Sequence, residues 1–304
     1  MSTRLVSLPL GVPLLPLLLA CGAVGSSDSG SSPEVVAAFY PYAFVAGRVV
    51  GEHADVTNLT SPGIEPHDLE LTPQQVAEIS EADLLIYERG FQPSVDEAVD
   101  QNPPAASLDI TEVVRLQDTG VPADEREEDE LEGDPHVWQD PTLLIPITER
   151  FAVEMAEADP DHAADYRARA DALITDLKQL DKEFAAGLTA CERTAFVTSH
   201  AAFGYLARAY DLTMVPVAGL SPGVEPSPAQ LAEVQDFIEA NGITTVFSET
   251  LGSRQYAVTL ATDLGVEAAV LDPIEGLSNE SSGDDYISLM RDNLAALEEA
   301  NGCS

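Results

Sequence analysis

The sequence predicts an α/β protein of two lobes. Each lobe is a mostly parallel sheet flanked by helices, and one long rigid helix joins them. Three observations predict this. Short apolar runs alternate with helical patterns along the chain, as in βα units. The 304 residues suggest about two domains at roughly 150 residues each. One uninterrupted helical pattern lies between two series of apolar runs.

In the first half, Glu34–Phe39, Asp55–Leu59, Asp83–Tyr87 and Ser107–Ile110 read as strands. In the second half, Thr194–Thr198, Thr213–Val217, Thr244–Phe247 and Glu267–Leu271 do. Helical stretches such as Pro228–Ala240 and Asp284–Glu299 separate or follow them. The connecting helix is expected over 159–187, with Asp159 as N-cap, Pro160 in the first turn and Gly187 as its stop. Ala163, Tyr166, Ala170, Leu173, Leu177, Leu180 and Phe184 recur at spacings of three and four, which makes one apolar seam. A continuous helix is stiff, so the lobes should tilt modestly rather than swing. The lobes themselves span 34–158 and 188–304.

Ser61-Pro62-Gly63-Ile64-Glu65-Pro66 is echoed by Ser221-Pro222-Gly223-Val224-Glu225-Pro226. Each copy leads to a helix start with a hydroxyl cap, a proline and a glutamine three residues after the cap, at Thr72 to Gln75 and Ser227 to Gln230. The echo suggests similar loops on the two lobes, facing each other across a cleft.

Fourteen Lys+Arg stand against 53 Asp+Glu, for a net charge of −39. Such a chain offers no basic face to nucleic acid and no charge for docking on anionic lipid. Residues 1–20 hold one base, Arg4, no acid and a leucine-rich run broken by Pro9, Pro13 and Pro16. The run is too short and broken to span a bilayer well, and suits a secretory signal. It ends Leu18-Leu19-Ala20-Cys21, which resembles a bacterial lipobox and implies cleavage before Cys21 and lipid on its thiol. An ordinary signal with an incidental cysteine is the alternative. The Gly/Ser-rich residues to 33 suit a tether. Cys191 and Cys303 then remain, an even pair that outside the cytoplasm reads as a disulfide, although two free thiols are also possible.

Five histidines are present. His53 and His162 read as structural or surface residues, with His162 exposed in the first turn of the long helix. His67, His136 and His200 sit in loops rich in turn residues, and His200 directly follows a strand. Asp272 and Glu249 also follow strands, where open α/β sheets bind ligands. Three imidazoles and one or two carboxylates suit a divalent transition ion. Spacing alone signals this weakly, because the residues lie far apart in the chain.

The motifs resemble the solute-binding lipoproteins of zinc and manganese ABC importers. The resemblance is carried by Pro62–Pro73 around Pro66-His67-Asp68, by Asp134-Pro135-His136-Val137-Trp138, and by Ser199-His200-Ala201 within Val197–Leu206. Gly219–Pro228 and Leu271-Asp272-Pro273 extend it across the mature chain. It implies one metal between the lobes, held by His67, His136, His200 and Asp272, with Glu249 behind them. Three His with one carboxylate implies zinc; manganese is the alternative, the more so if Glu249 joins the ligands. It also implies an ABC permease and its ATPase as partners, an extracytoplasmic monomer, and membrane attachment only through the lipid. The chain departs from many zinc-type relatives in lacking a His-rich loop: 124–134 holds eight acids and no histidine. That stretch is either a solvated loop or a device that concentrates cations.

An enzyme is not expected. Gly219-Leu220-Ser221-Pro222-Gly223 fits GxSxG, but Pro222 lacks the N–H that an oxyanion hole needs. HExxH, the phosphate-binding GxxxxGK and GxGxxG are absent from the sequence. A zinc hydrolase or a surface adhesin are the remaining rivals.

Overall fold

The computed structural model describes residues 32–118, 133–223, 225–251, 254–278 and 285–304. The expected signal, Cys21, most of the tether and most of the acidic stretch lie outside the described residues. No helix among the described residues is long and apolar enough to cross a membrane.

All eight expected runs form strands. In the first lobe these are β1 (Glu34–Ala37), β2 (Asp55–Asn58), β3 (Leu84–Tyr87) and β4 (Ser107–Asp109). In the second they are β5 (Ala195–Thr198), β6 (Thr213–Pro216), β7 (Thr245–Ser248) and β8 (Glu267–Val270). The sheets are ordered β2-β1-β3-β4 and β6-β5-β7-β8, and every pairing is parallel. Both lobes therefore reverse strand order at the same place, between their first and third strands. The strand bounds differ from expectation by one or two residues: β1, β2, β4, β6 and β8 end earlier, β3 and β5 begin one residue later, and β7 is shifted by one.

The first lobe carries α1 (Tyr40–Val50), α2 (Pro73–Glu81), α3 (Pro93–Gln101) and α4 (Leu144–Ala158). The second carries α6 (Gly204–Ala209), α7 (Pro228–Asn241), α8 (Gln255–Leu264) and α9 (Tyr286–Asn301). Both expected capping boxes form, at Thr72 with Gln75 and at Ser227 with Gln230. Gln75 also donates to the carbonyl of Leu59 at 2.7 Å, tying α2 to the end of β2.

The connector departs from expectation at its start. Residues 160–162 form a single 3-10 turn, and α5 spans Ala163–Gly187. Asp159 does not cap backbone N–H groups. Its carboxylate instead takes the Tyr166 hydroxyl and the His162 ring nitrogen, each at 2.6 Å. The apolar seam is buried from Tyr166 to Phe184, with Ile174 added, and packs on α1, α4 and α9. One helix thus borders both lobes. α5 ends at Gly187, where the side chains of Leu294 and Glu298 of α9 pack close: a Cβ there would lie 3.1 Å from Leu294 Cδ1.

Cys191 and Cys303 are joined as a disulfide. It links the segment entering β5 to the chain after α9, across 112 residues. Cross-linking so long a loop restricts the unfolded chain strongly. Replacing both cysteines by serine should lower unfolding free energy by about 3–5 kcal/mol in urea titration; an unchanged midpoint would show that the bond adds no stability.

Candidate metal centre

The loops at the carboxyl ends of both sheets meet at one buried point. His67 lies in the β2–α2 loop, His136 precedes a single 3-10 turn at Val137–Gln139, and His200 stands two residues beyond β5. Their ring centroids are 5.3–5.9 Å apart. The expected three imidazoles are brought together.

The fourth group is Glu275, not Asp272. Glu275 Oε1 lies 3.1 Å from His200 Nε2, 3.2 Å from His136 Nε2 and 3.6 Å from His67 Nε2. One donor atom from each of these four residues falls within 4.8 Å of the others. Asp272 is buried nearby, but its Oδ1 accepts the backbone N–H of Ile274 at 2.8 Å and it is not among the four. The sequence reading placed the fourth group three residues earlier, at Asp272. It took the carboxylate at the strand end, whereas the chain makes one more turn before presenting a side chain to the imidazoles. The signal available was the acid itself, in Leu271-Asp272-Pro273-Ile274-Glu275.

Two of the rings are oriented from behind by carboxylates. Asp134 Oδ1 accepts the His136 backbone N–H at 3.0 Å and contacts His136 Nδ1 at 2.8 Å. Glu249 Oε1 does the same for His200, at 3.0 and 2.7 Å. Glu249 follows β7 and His200 follows β5, so this pair sits where the second sheet reverses its strand order. A carboxylate on Nδ1 fixes the tautomer and turns the Nε2 lone pair inward. Glu249 therefore stands behind a ligand candidate, and Asp134 matches it in the first lobe. His67 has Phe91 edge-on at 4.5 Å, and its backbone N–H donates to Glu65 Oε1 at 3.3 Å.

The electrostatics suit a cation. Burial pulls His200 down, yet the charges of Glu275 and Glu249 outweigh it and push the imidazole up to about 10. His136 is likewise drawn down by burial and raised on balance by the Asp134 and Glu275 carboxylates beside it. Burial lowers His67. Glu275 is held well below the usual carboxylate range: burial opposes this, but the His200 charge and the three imidazole contacts win. Burial and then the Glu275 charge push Glu65 up to about 8, so that carboxyl is protonated at neutral pH. The Nε2 atoms of His67 and His136 are buried without hydrogen-bond partners. Unpartnered buried nitrogens cost free energy unless something else satisfies them, and a dication would do so.

Each echoed loop contacts the other half of the chain rather than its echo. A Cβ on Gly223 would lie 3.4 Å from Asp68 Oδ2, and the N–H of Gly63 donates to the Leu277 carbonyl at 2.7 Å. Away from the centre, His162 is not free in solvent as expected. Its ring stacks on His53 at 4.0 Å, and His53 Nε2 is 3.2 Å from Asp165. Parallel stacked rings direct their lone pairs side by side, so these two imidazoles do not converge on one ion.

Two parallel α/β lobes with His, His, His and Glu at their junction define a binding protein with an enclosed cation site. Residues 35–300 match the family described as ZnuA, zinc-uptake complex component A periplasmic. The chain is 34% identical to the high-affinity zinc uptake system protein ZnuA of Bacillus subtilis, over 93% of both proteins. It is 35% identical to the zinc-binding lipoprotein AdcA of Streptococcus pneumoniae, over 93% of this chain and 58% of AdcA. Among solved structures, the Zn(II)-bound ZnuA-like domain of AdcA superposes with a TM-score of 0.75 at 34% identity, covering 89% of this chain and 99% of that domain. The laminin-binding protein Lmb of Streptococcus agalactiae, described as bifunctional with adhesin and metal transporting activity, gives 0.79 at 28% identity, covering 89% and 99%. The chain belongs to the ZnuA family.

A dication must displace the proton that His200 holds at neutral pH. Apparent affinity should therefore rise with pH while that proton is bound, about tenfold per unit for one proton. Calorimetry at pH 7.5 in buffers of different ionisation enthalpy should detect about one proton released per zinc; equal affinity at pH 5.5 and 7.5 would contradict the assignment.

Proposed function

We propose that the protein captures one Zn²⁺ outside the cytoplasm and delivers it to an ABC permease and its ATPase, held at the membrane by lipid on Cys21. The observation that carries this reading is the convergence of three Nε2 atoms and one Glu275 oxygen on a single buried point. Three nitrogens and one oxygen match the ligand preference of zinc, while manganese favours more oxygen and binds such donors more weakly. The zinc-named relatives at 34–35% identity point the same way.

Transport suits the site better than catalysis. A catalytic zinc keeps an open position for water, whereas four protein groups complete a tetrahedron. The metal is therefore cargo, enclosed until the lobes or their loops relax at the permease. Because α5 packs against helices of both lobes, the motion should be small. A complete binding site within one chain supports action as a monomer.

The test is elemental analysis of protein purified without added metal, then competition between Zn²⁺ and Mn²⁺. About one zinc per chain and at least roughly a hundredfold preference for zinc are expected. His200→Ala should weaken zinc binding by at least about a hundredfold, and Glu249→Gln by about 10–100-fold through its effect on His200. Retained stoichiometric zinc in His200→Ala would reject the site. The likeness to Lmb favours one second reading, a surface adhesin; partner binding that persists in His200→Ala would support it.

A further inference from the structure

The segment that delivers Glu275 is held more tightly than a connecting loop requires. Asp272 N–H donates to Asn293 Oδ1 at 2.8 Å, and Asn293 Nδ2 donates to the Asp272 carbonyl at 2.6 Å. Asn293 belongs to α9 and is buried. The next carbonyl, of Pro273, accepts Trp138 Nε1 at 2.7 Å and also the Gln139 side-chain amide. The Tyr286 hydroxyl donates to the Trp138 carbonyl at 2.5 Å, which fixes the donor in turn.

Within this clamp Ile274 adopts φ 57° and is fully buried. A β-branched residue avoids the left-handed region because its Cβ crowds the backbone. Such a conformation persists only where the surroundings over-determine it, and it marks functional segments. The N–H of Ile274 is held by Asp272 Oδ1 at 2.8 Å, an aspartate bonding its own backbone two residues on. Left-handed torsion at Ile274 changes the direction in which the chain leaves Pro273, and Glu275 is the next residue. Its side chain is thus aimed by a torsion that Asp272 secures.

We propose that Asp272 is a positioning residue. Its carboxylate holds Ile274 in the left-handed conformation and so presents Glu275 to the three imidazoles, without touching the metal itself. This rests on the zinc-capture reading above. The strain at Ile274 is maintained from two sides, by Asn293 of α9 and by Trp138 and Gln139 of the first lobe. The fourth ligand is therefore built from both lobes, although its sequence lies in one.

The test compares Asp272→Asn, Asp272→Ala and Glu275→Gln in the mature protein. Zinc affinity is measured by chelator competition, and the site is viewed through the visible absorption of bound Co²⁺, which reports ligand number and type. Asp272→Ala should lose about 10–100-fold in affinity and give the cobalt spectrum of Glu275→Gln. Asp272→Asn keeps the acceptor oxygen and should restore the wild-type spectrum. The double variant Asp272→Ala/Glu275→Gln should bind no more weakly than Glu275→Gln alone. A changed spectrum in Asp272→Asn would make Asp272 a ligand and overturn the proposal, as would a wild-type spectrum in Asp272→Ala. If Asp272→Ala does not fold, Asp272→Asn decides: wild-type absorption supports positioning, and absorption like Glu275→Gln refutes it. Wild-type protein that binds neither Zn²⁺ nor Co²⁺ would instead sink the capture reading, and this proposal with it.

Discussion

A carboxylate with 1% of its surface exposed needs positive charge beside it, and everything at the lobe junction answers that need. Glu275 lies within 3.6 Å of three imidazole nitrogens. Those nitrogens are themselves buried, and two lack any hydrogen-bond partner. Without a metal, the cluster balances its charge with protons, chiefly on His200. With one, a single ion replaces the protons and satisfies all four groups together. Proton and metal thus compete for one enclosed position.

The scaffold serves this point by placing loop ends. Parallel sheets send all their carboxyl ends to one side, and both lobes reverse strand order there. The backing carboxylates Asp134 and Glu249 come from opposite lobes and set their imidazoles in the same way. The supporting contacts also cross between lobes. Trp138 and Gln139 grip Pro273, and Tyr286 grips Trp138. Contacts that cross between the lobes thus back the candidate site, while α5 borders helices of both.

Charge acts at longer range. A chain of net charge −39 attracts cations to its surface before any ligand is met. Specificity is then a local matter of nitrogen donors. The excess of acids does not select among dications, whereas three imidazoles do.

Local pattern alone determined the strands, the capping boxes at Thr72 and Ser227 and the apolar seam of α5. Each of these is written in neighbouring residues, as period, cap or turn chemistry. The three histidines stood out mainly through the resemblance of their motifs to a known family, since their spacing alone signals a metal weakly. The carboxylate that completes the group did not. Asp272 and Glu275 stand three residues apart, and either could face the centre. Ile274 gives no sign in the sequence that it is left-handed, since isoleucine disfavours that conformation. Asn293, Trp138 and Gln139, distant in the chain and adjacent in space, hold the backbone just before Ile274. The stacking of His53 on His162, and the use of Asp159 to grip Tyr166 rather than to cap a helix, were hidden for the same reason: long-range packing chose among options that local chemistry left equal.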